Sequence, residues 1–348
     1  MGITSERSFV IAIFIILVIS WASQAMSRTL HDDEASINDM HKQWMSQYGR
    51  TYANDAEKER RSQIFRENMR FVANFNSNGN NNHTYKLDIN EFSDLTTEEF
   101  LTYYTGSKRP THYSKTAETT SFRYQNLTDV PTSIDWRDKG AVTPIKNQRQ
   151  CGCCWAFSVV AAVEGITQIK TGNLISLSEQ QLVDCVHNGN TNGCSGGWMD
   201  DAFQYIVQNQ GISTETSYPY EAADGTCDKE KAMERAAKIT GYVDVPPSNE
   251  EALLKAVSAQ PVSVTIDARA KEFHMYKEGV FNGGCGTKHN HEVTVIGYGV
   301  TEDGTKYWLI KNSWGESWGE NGYMRILRDY DSPQGLCGIA IHPAYPTA

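Results

Sequence analysis

The distribution of cysteine divides this chain of 348 residues into two parts. All eight cysteines lie between Cys151 and Cys337, and the first 150 residues contain none. In an oxidising compartment, thiols favour pairing into disulfides. The distribution therefore predicts that the C-terminal two-thirds is one cross-linked unit, and that the N-terminal third is held together by other interactions.

The first 25 residues have the features of a secretory signal peptide, which would bring the chain into an oxidising compartment. Arg7 precedes an apolar run from Phe9 to Ile19, and the small residues Ser23 and Ala25 follow it. The run is shorter than the roughly 20 apolar residues of a membrane span. We therefore predict a signal over residues 1–25 and no membrane association after its removal; an uncleaved anchor is the alternative.

Residues 26–105 have helical periodicity. Two helices are predicted, over His31–Tyr48 and Asp55–Asn76, and the second has a broad apolar face. Residues 106–129 are polar, rich in Thr and Ser and without apolar periodicity, which is typical of a linker that a protease can cut. Asn82 and Asn126 begin glycosylation sequons.

From Val130 onward the pattern is helical first and β-rich later. A helix is predicted over Cys154–Ile169, ended by Gly172. The predicted strands are Pro261–Ile266, Glu292–Tyr298, Lys306–Lys311 and Tyr323–Leu327. This order indicates an α+β arrangement with two lobes. The net charge of −10 argues against nucleic-acid binding, which needs a basic face.

Four residues of the second part have the chemistry of acyl transfer by a thiol. Cys154 lies at the predicted helix start, where unpaired N–H groups and the helix dipole favour a thiolate. His291 opens a strand, and the Asn312 side chain can accept a hydrogen bond from one nitrogen of its ring. The amide of Gln148, six residues before Cys154, can hold an oxyanion together with the Cys154 N–H.

These residues resemble the active site of the papain and cathepsin family of cysteine proteases, and the chain is similar to its plant members. His291 and Asn312 follow Cys154 by 137 and 158 residues, close to the family's spacing. The resemblance implies that Cys154 is the nucleophile, His291 the general base and acid, Asn312 its orienter and Gln148 the oxyanion donor. Trp314 would shield the His–Asn contact from water.

The resemblance also implies a fold and a domain order. We expect an α+β, papain-like fold of two lobes, a helical left lobe and a β-barrel-like right lobe, preceded by a helical inhibitory pro-segment. The expected domains are a signal peptide over 1–25, an inhibitory propeptide over 26–129 and a mature cysteine protease over 130–348.

The N-terminal third carries two motifs of the family's inhibitory pro-segment. The first is a spaced helical set: Glu57, Arg61, Phe65, Asn68, Val72 and Asn76. The second contains Asn90, Phe92 and Asp94, but Asp88 stands where the family usually has Gly. The resemblance implies a segment that fills the cleft in reverse and is removed at acidic pH. Asp88 puts the detail of that pH trigger in question.

The resemblance further implies three disulfides: Cys151–Cys194, Cys185–Cys227 and Cys285–Cys337. Sequence alone permits many pairings. Cys153 and Cys154 would stay free, and Cys154 alone precedes a Trp, so the chemistry is assigned to it. Cys153 is then a small buried side chain or, alternatively, a second nucleophile.

The substrate-binding residues are also carried over from the family. Gly196 and Gly197 would pair with the substrate backbone, and the pocket for the residue second from the cut would be lined by Trp198, Met199, Thr265, Asn290, Glu292 and His342. The chain departs from its relatives at three positions. Glu292 stands where Ala or Gly is usual, Asn290 where Asp is usual, and Arg149 where Gly is usual. The Glu292 carboxylate would either admit a substrate Arg or Lys, or bend to solvent and narrow the pocket. Bending to solvent would avoid an unpaired buried carboxylate, which is unfavourable.

The expected function is therefore that of a cysteine endopeptidase made as a zymogen, with a thioester intermediate and no cofactor or metal. Its expected partners are protein and peptide substrates, its own propeptide and cystatin-type inhibitors. The expected location is the secretory route, ending in the vacuole or lysosome or outside the cell.

Three other interpretations fit the sequence less well. Cys151 and Cys154 have a C-x-x-C spacing typical of redox exchange, but no βαβ pattern surrounds them. Cys194, Cys227, His289 and His291 do not match a common zinc site. A binding or storage protein with the same fold and no activity is disfavoured by the complete set of Cys, His, Asn and Gln.

Overall fold

The computed structural model describes residues 36–77, 83–109 and 121–348. The predicted signal peptide and the sequon at Asn82 lie outside these ranges, as do residues 110–120 of the predicted linker. The chain divides into two compact units between Arg70 and Phe71. No helix in the described ranges is both long and apolar enough to cross a membrane.

The first unit is built on an aromatic contact between two helices. Helix α1 covers residues 36–47, and helix α2, Asp55–Ser77, continues into the second unit. The ring of Phe65 lies 5.0 Å from His41 and 5.3 Å from Trp44, measured between centroids. One turn earlier, Arg61 donates to Glu57 at 2.7 Å. The spaced motif of the pro-segment therefore lies along one helix, as predicted.

The second unit contains a mixed sheet. Its nine strands in the described chain are β1 (Tyr85–Leu87), β2 (Ile134–Asp135), β3 (Gly241–Asp244), β4 (Val262–Ile266), β5 (Tyr276–Phe281), β6 (His291–Val300), β7 (Lys306–Lys311), β8 (Tyr323–Leu327) and β9 (Ala344–Thr347). Their order is β1-β5-β8-β7-β6-β4-β9-β3, with β2 on β6. Only β5 and β8 pair in parallel.

The expectation of a barrel-like lobe needs correction, because this sheet is open. Among the described residues, β1 ends the path on one side and β3 on the other, and no pairing joins them. The β1 strand comes from the N-terminal third and occupies the edge beside β5. Asn76 stabilises β1 by donating to the carbonyl of Leu87 and accepting from its N–H, at 2.7 and 3.1 Å.

The described residues contain seven further helices. They are α3 (Thr97–Tyr104), α4 (Cys154–Thr171), α5 (Glu179–Cys185), α6 (Met199–Gln208), α7 (Lys229–Ala232), α8 (Glu250–Ala259) and α9 (Lys271–His274). The predicted stop at Gly172 is confirmed: this residue caps α4 with a φ of 78°, a left-handed conformation that favours glycine. Helix α4 is buried on almost all sides because it packs against β6 as well as α5 and α6.

Two hydrophobic clusters correspond to the two predicted lobes. One is formed mainly by α4, α5 and α6, and the other by the sheet with α8 and α9. The disulfides Cys151–Cys194 and Cys185–Cys227 belong to the helical side, and Cys285–Cys337 to the sheet side. This is the pairing that the resemblance implied. Cys153 and Cys154 are free thiols.

Candidate active site

The thiol of Cys154 lies at the N-terminus of α4 and is completely buried. Burial raises the pKa of Cys154 well above its ordinary value, and the Glu292 carboxylate raises it further. The backbone N–H groups of Glu292 and Gly106 oppose this rise. In the precursor, burial of the thiol therefore opposes formation of the thiolate. The segment around Gly106 lies against the thiol, and burial outweighs the helix dipole.

His291 is held by Asn312 and covered by Trp314. The imidazole Nε2 lies 2.8 Å from Asn312 Oδ1, so Nε2 carries the proton of the neutral ring and Nδ1 carries the lone pair. Nδ1 is buried and has no hydrogen-bond partner. Trp314 stacks on the ring, with 4.4 Å between centroids and 23° between planes. Burial lowers the pKa of His291 to about 4, despite the bond to Asn312.

Gln148 is held by a residue that the sequence did not point to. Ser313 Oγ donates to Gln148 Oε1 at 2.6 Å, and the Gln148 N–H donates to the Ser313 carbonyl at 2.8 Å. The Gln148 Nε2 group then donates to the carbonyl of Cys151 at 2.8 Å. Because Ser313 also donates its N–H to Asn312 Oδ1 at 2.8 Å, one residue orients both the amide of Gln148 and the partner of His291.

The departure at Arg149 has a backbone consequence. Arg149 has a φ of 52°, in the left-handed region that favours glycine. Its N–H donates to Asn147 Oδ1 at 2.8 Å, which supports the turn. The usual glycine is therefore explained by backbone conformation, and Arg149 adopts the same conformation at some energetic disadvantage.

Cys153 points away from the cleft into the helical lobe. Its Sγ lies 3.0 Å from the hydroxyl of Tyr220, and that hydroxyl donates to the carbonyl of Gln148 at 2.7 Å. A tyrosine hydroxyl has one hydrogen, so Cys153 must be the donor in the first contact. Burial raises the pKa of Cys153 as well. These facts favour the small buried side chain over the second nucleophile.

Residues 105–109 of the N-terminal third run through the cleft. Gly106 and Ser107 both donate their N–H to the carbonyl of Asn290 at 3.0 Å. Gly197 donates to the Gly106 carbonyl at 2.8 Å and accepts from the Lys108 N–H at 2.7 Å. This bridge between Ser107 and Gly197 is parallel. The segment therefore adds to the cleft like a strand and is centred on Ser107.

Of the remaining predicted substrate-binding residues, Glu292 accepts a hydrogen bond from Ser107 Oγ at 3.0 Å. Thr265 and Glu292 are partners across β4 and β6, and the ring of Trp198 lies 5.6 Å from that of His342. The N–H of Met199 faces the carboxyl of Glu292. Asn290 directs its side chain elsewhere, to the N–H of Ala268 at 2.8 Å, and offers its carbonyl to the cleft. Glu292 does not bend to solvent, since only 1% of its surface is exposed.

Two models of protein families match this chain. A family model described as papain family cysteine protease matches residues 130–347, and one described as cathepsin propeptide inhibitor domain matches residues 41–100. The chain belongs to the papain family of cysteine proteases. Since its propeptide belongs to the inhibitor type, it is a cysteine endopeptidase made as a zymogen, and it acts on proteins through the family's thiol mechanism.

Relatives with this papain-family organisation are similar over most of the chain. Senescence-specific cysteine protease SAG39 of Oryza sativa subsp. indica is 52% identical over 92% of this chain and 93% of its own. Fruit bromelain of Ananas comosus is 46% identical over 96% and 93%. Among solved structures, recombinant stem bromelain precursor superposes with a TM-score of 0.80 at 47% identity, over 90% of this chain and 99% of that chain.

Proforms also appear among the structural neighbours of this papain-family chain. The ragweed pollen cysteine protease Amb a 11, solved in its proform, has a TM-score of 0.81 at 41% identity and covers 89% of this chain and 94% of its own. The propeptide is the intramolecular inhibitor of the protease, and residues 105–109 are the part that occupies the cleft.

Proposed function

We propose that Cys154 is the nucleophile of this endopeptidase and that His291 is its base and acid, oriented by Asn312. The observation that carries this proposal is the bond of 2.8 Å between His291 Nε2 and Asn312 Oδ1. That bond fixes the ring so that the lone pair of the unpaired Nδ1 is available to a proton.

Gln148 and the Cys154 N–H supply the oxyanion donors. The Gln148 amide is oriented by Ser313, so Nε2 is the side that faces Cys151. In the precursor, Nε2 donates to the Cys151 carbonyl; in the complex with substrate, it donates to the carbonyl oxygen under attack. Donors held in place in this way contribute a large part of catalysis in acyl transfer.

The reaction follows from these roles. His291 takes the thiol proton, and the Cys154 sulfur attacks the substrate carbonyl to form a C–S bond. The imidazolium then protonates the leaving amine as the C–N bond breaks, which leaves a thioester. His291 next removes a proton from water, the hydroxide cleaves the thioester, and the proton returns to the sulfur.

Latency has two causes in this proposal. Residues 105–109 occupy the cleft, and their contact with the thiol keeps Cys154 protonated, because burial raises its pKa. Removal of the propeptide exposes the thiol to water and leaves the helix N-terminus to favour the thiolate. Cleavage in the linker at 106–129 at acidic pH then yields the mature protease from about Val130.

The location and the remaining partners belong to the same proposal. A signal over residues 1–25 takes the chain into the secretory route, where the three disulfides form. The sequon at Asn126 lies exposed in a turn, which suits glycosylation. The mature enzyme acts in the vacuole or lysosome or outside the cell, and cystatin-type inhibitors compete for its cleft.

One experiment tests the assignment of the nucleophile. The purified precursor is acidified with a thiol reductant, and its mass and the cleavage of a fluorogenic peptide are followed over time. We expect a loss of mass to the mature form together with rising activity. Cys154→Ala should show neither, whereas Cys153→Ser should show both. Continued peptide cleavage by purified Cys154→Ala would remove Cys154 from its role.

A further inference from the structure

The proposed catalytic steps leave one buried acidic side chain of the cleft unused, that of Glu292. It follows His291 directly in β6, and 1% of its surface is exposed. Its Oε1 accepts a hydrogen bond of 3.0 Å from Ser107 Oγ of the propeptide, and its Oε2 is buried without a partner. A buried carboxyl is unfavourable unless it is paired, and its one side-chain partner leaves with the propeptide.

The position of Ser107 shows which substrate residue would replace it. The neighbours of Ser107 exchange hydrogen bonds with Gly197 on both sides, at 2.8 and 2.7 Å. A substrate peptide that runs in the opposite direction to the propeptide segment and pairs with Gly197 also places one residue opposite Gly197. That residue, the second before the cleaved bond, then directs its side chain toward Glu292, as Ser107 does.

The charges around this place suit a cation. Burial raises the pKa of Glu292 well above its ordinary value, and the negative charges of Asp200 and Asp201 in α6 raise it further. The two imidazoles at the far end, His289 and His342, have lowered pKa values, to about 4 for His342, because burial disfavours their charged forms. In the precursor these lowered pKa values favour the neutral forms of both rings, and Arg109 of the propeptide contributes to both shifts.

The propeptide itself sets basic side chains on this surface. Arg109 lines a cavity of about 130 Å³ together with Trp198, Asp200 and His342. The stem of Lys108 lies over Gly196, close enough that a Cβ added there would meet its Cε at 3.0 Å. A Ser-Lys-Arg sequence thus occupies an acidic part of the cleft, as expected for a site that binds basic peptides.

We propose that Glu292 makes this protease select substrates with Arg or Lys as the second residue before the cleaved bond. This inference rests on the proposed active site. A guanidinium can donate to both Glu292 oxygens at once, which satisfies the unpaired Oε2 and stabilises the ionised carboxylate. An aliphatic side chain in the same place would leave both oxygens buried without a side-chain partner.

The test uses three fluorogenic peptides that differ only at this residue: Arg, citrulline or Leu. Citrulline has the shape of Arg without its charge. The mature enzyme is titrated with an irreversible thiol inhibitor, and kcat/KM is measured per active site at pH 6. We expect Arg to exceed citrulline by about tenfold or more, the effect of a hydrogen-bonded buried charge pair.

Two variants separate Glu292 from the rest of the enzyme. In Glu292→Gln the ratio of Arg to citrulline should fall to about two or less. The control Glu302→Gln, at an exposed position after β6, should keep the ratio of the parent enzyme. If Glu292→Gln does not mature, Glu292→Ala, which restores the residue usual in relatives, replaces it with the same expected fall in the ratio.

Two results would overturn the inference. The first is a ratio of Arg to citrulline near one in the parent enzyme, with rapid cleavage of the Leu peptide; the active-site proposal would then stand and the selectivity proposal would fall. The second is a high ratio that Glu292→Gln leaves unchanged. Failure of the parent enzyme to cleave all three peptides or to react with the thiol inhibitor would overturn the active site and this inference together.

Discussion

Phe100 of the propeptide stacks on the imidazole of His274, with 3.8 Å between the ring centroids and 27° between their planes. His274 is buried at the end of α9, its Nε2 lies 2.8 Å from the carbonyl of Ala268, and its own carbonyl accepts from Asn90 at 2.7 Å. Two separate parts of the propeptide therefore depend on this one residue of the mature domain.

This contact predicts that acid weakens propeptide docking. Burial lowers the pKa of His274 to about 3, and the nearby His291 and Lys271 act in the same direction. An undocked His274 is closer to its ordinary value of 6.5. Docking is therefore strongest above pH 6.5 and weakens as the pH falls toward 3. In His274→Gln the rate of acid processing at pH 5 should fall by about fivefold or more. The variant lacks the imidazole whose protonation favours release of the propeptide.

Gel analysis of precursor processing between pH 4 and pH 7 checks this expectation. His187→Gln is the matched control, because His187 is an exposed imidazole of the helical lobe. Its pH profile should match that of the parent. A profile for His274→Gln that superposes on the parent profile would show that other groups control release.

Gly106 supports a second prediction, which concerns how completely the propeptide inhibits the unprocessed precursor. A Cβ on Gly106 would lie 1.8 Å from the carbonyl oxygen of Gly152, so the propeptide backbone would have to move away from the cleft. Gly106→Ala should raise the peptidase activity of the unprocessed precursor by about tenfold or more, which corresponds to about 1.4 kcal/mol of lost docking.

The measurement is initial peptidase activity at pH 7 before any processing band is visible. Gly284→Ala serves as the control, since a Cβ there meets nothing within 4 Å. An unchanged activity of the Gly106→Ala precursor would mean that the segment adapts without loosening.

Helices α2 and α4 and strands β7 and β8 were predicted from sequence, whereas helices α6 and α8 and strands β5 and β9 were not. The pattern over Asp55–Asn76 and the Gly172 stop gave helices α2 and α4 nearly to the residue. Strands β7 and β8 were predicted with the bounds that the structure has. The short strands β1, β2 and β3 were not predicted either, because two to four residues carry no usable periodicity and their pairing depends on distant segments.

In the candidate active site, the residue types could be predicted from sequence, but the hydrogen bonds around them could not. The residue types Cys, His, Asn and Gln could be found from spacing, but the roles of Ser313 and Tyr220 depend on hydrogen bonds between segments far apart in sequence. The sequence offered His289 only as a metal ligand, but its ring lies beside that of His342, with 5.5 Å between ring centroids. Burial of the Cys154 thiol in the precursor cannot be read from a helix start.

Cys153 is predicted to act as a positioning residue through Tyr220. The thiol donates to Tyr220, and Tyr220 donates to the carbonyl of Gln148. Cys153→Ala removes this donor and should lower kcat/KM by about fivefold, the effect of roughly 1 kcal/mol from one neutral hydrogen bond. Cys153→Ser keeps a donor at the same place and should stay within about twofold of the parent.

Active-site titration and separate kcat and KM values distinguish this effect from poor folding. The loss in Cys153→Ala should lie mainly in kcat, because Gln148 acts on the transition state. Equal losses in the Ala and Ser variants would point to packing of the sulfur rather than to its hydrogen bond.

A buried ion cluster joins the two lobes. Lys146 Nζ lies 2.7 Å from a Glu179 oxygen and 3.1 Å from a Glu164 oxygen, and Lys311 lies 4.0 Å from Glu164. Burial raises the pKa of Glu179 to about 8, with Glu164 and Glu215 adding to the rise and Lys146 opposing it. The ordinary value of 4.5 applies to the unfolded chain.

Glu179 therefore makes the fold more stable in acid than at neutral pH. Its contribution is fully present below about pH 4.5 and is lost as the pH rises toward 8, because the unfolded chain releases this proton first. Thermal unfolding of the inactive Cys154→Ala precursor should show a melting temperature that falls between pH 5 and pH 8. Adding Glu179→Gln should reduce that fall by at least about 2 °C, the shift that about 1 kcal/mol produces in a domain of this size. Glu302→Gln on the same background should leave it unchanged, and an equally steep fall with Glu179→Gln would assign the pH dependence to other groups.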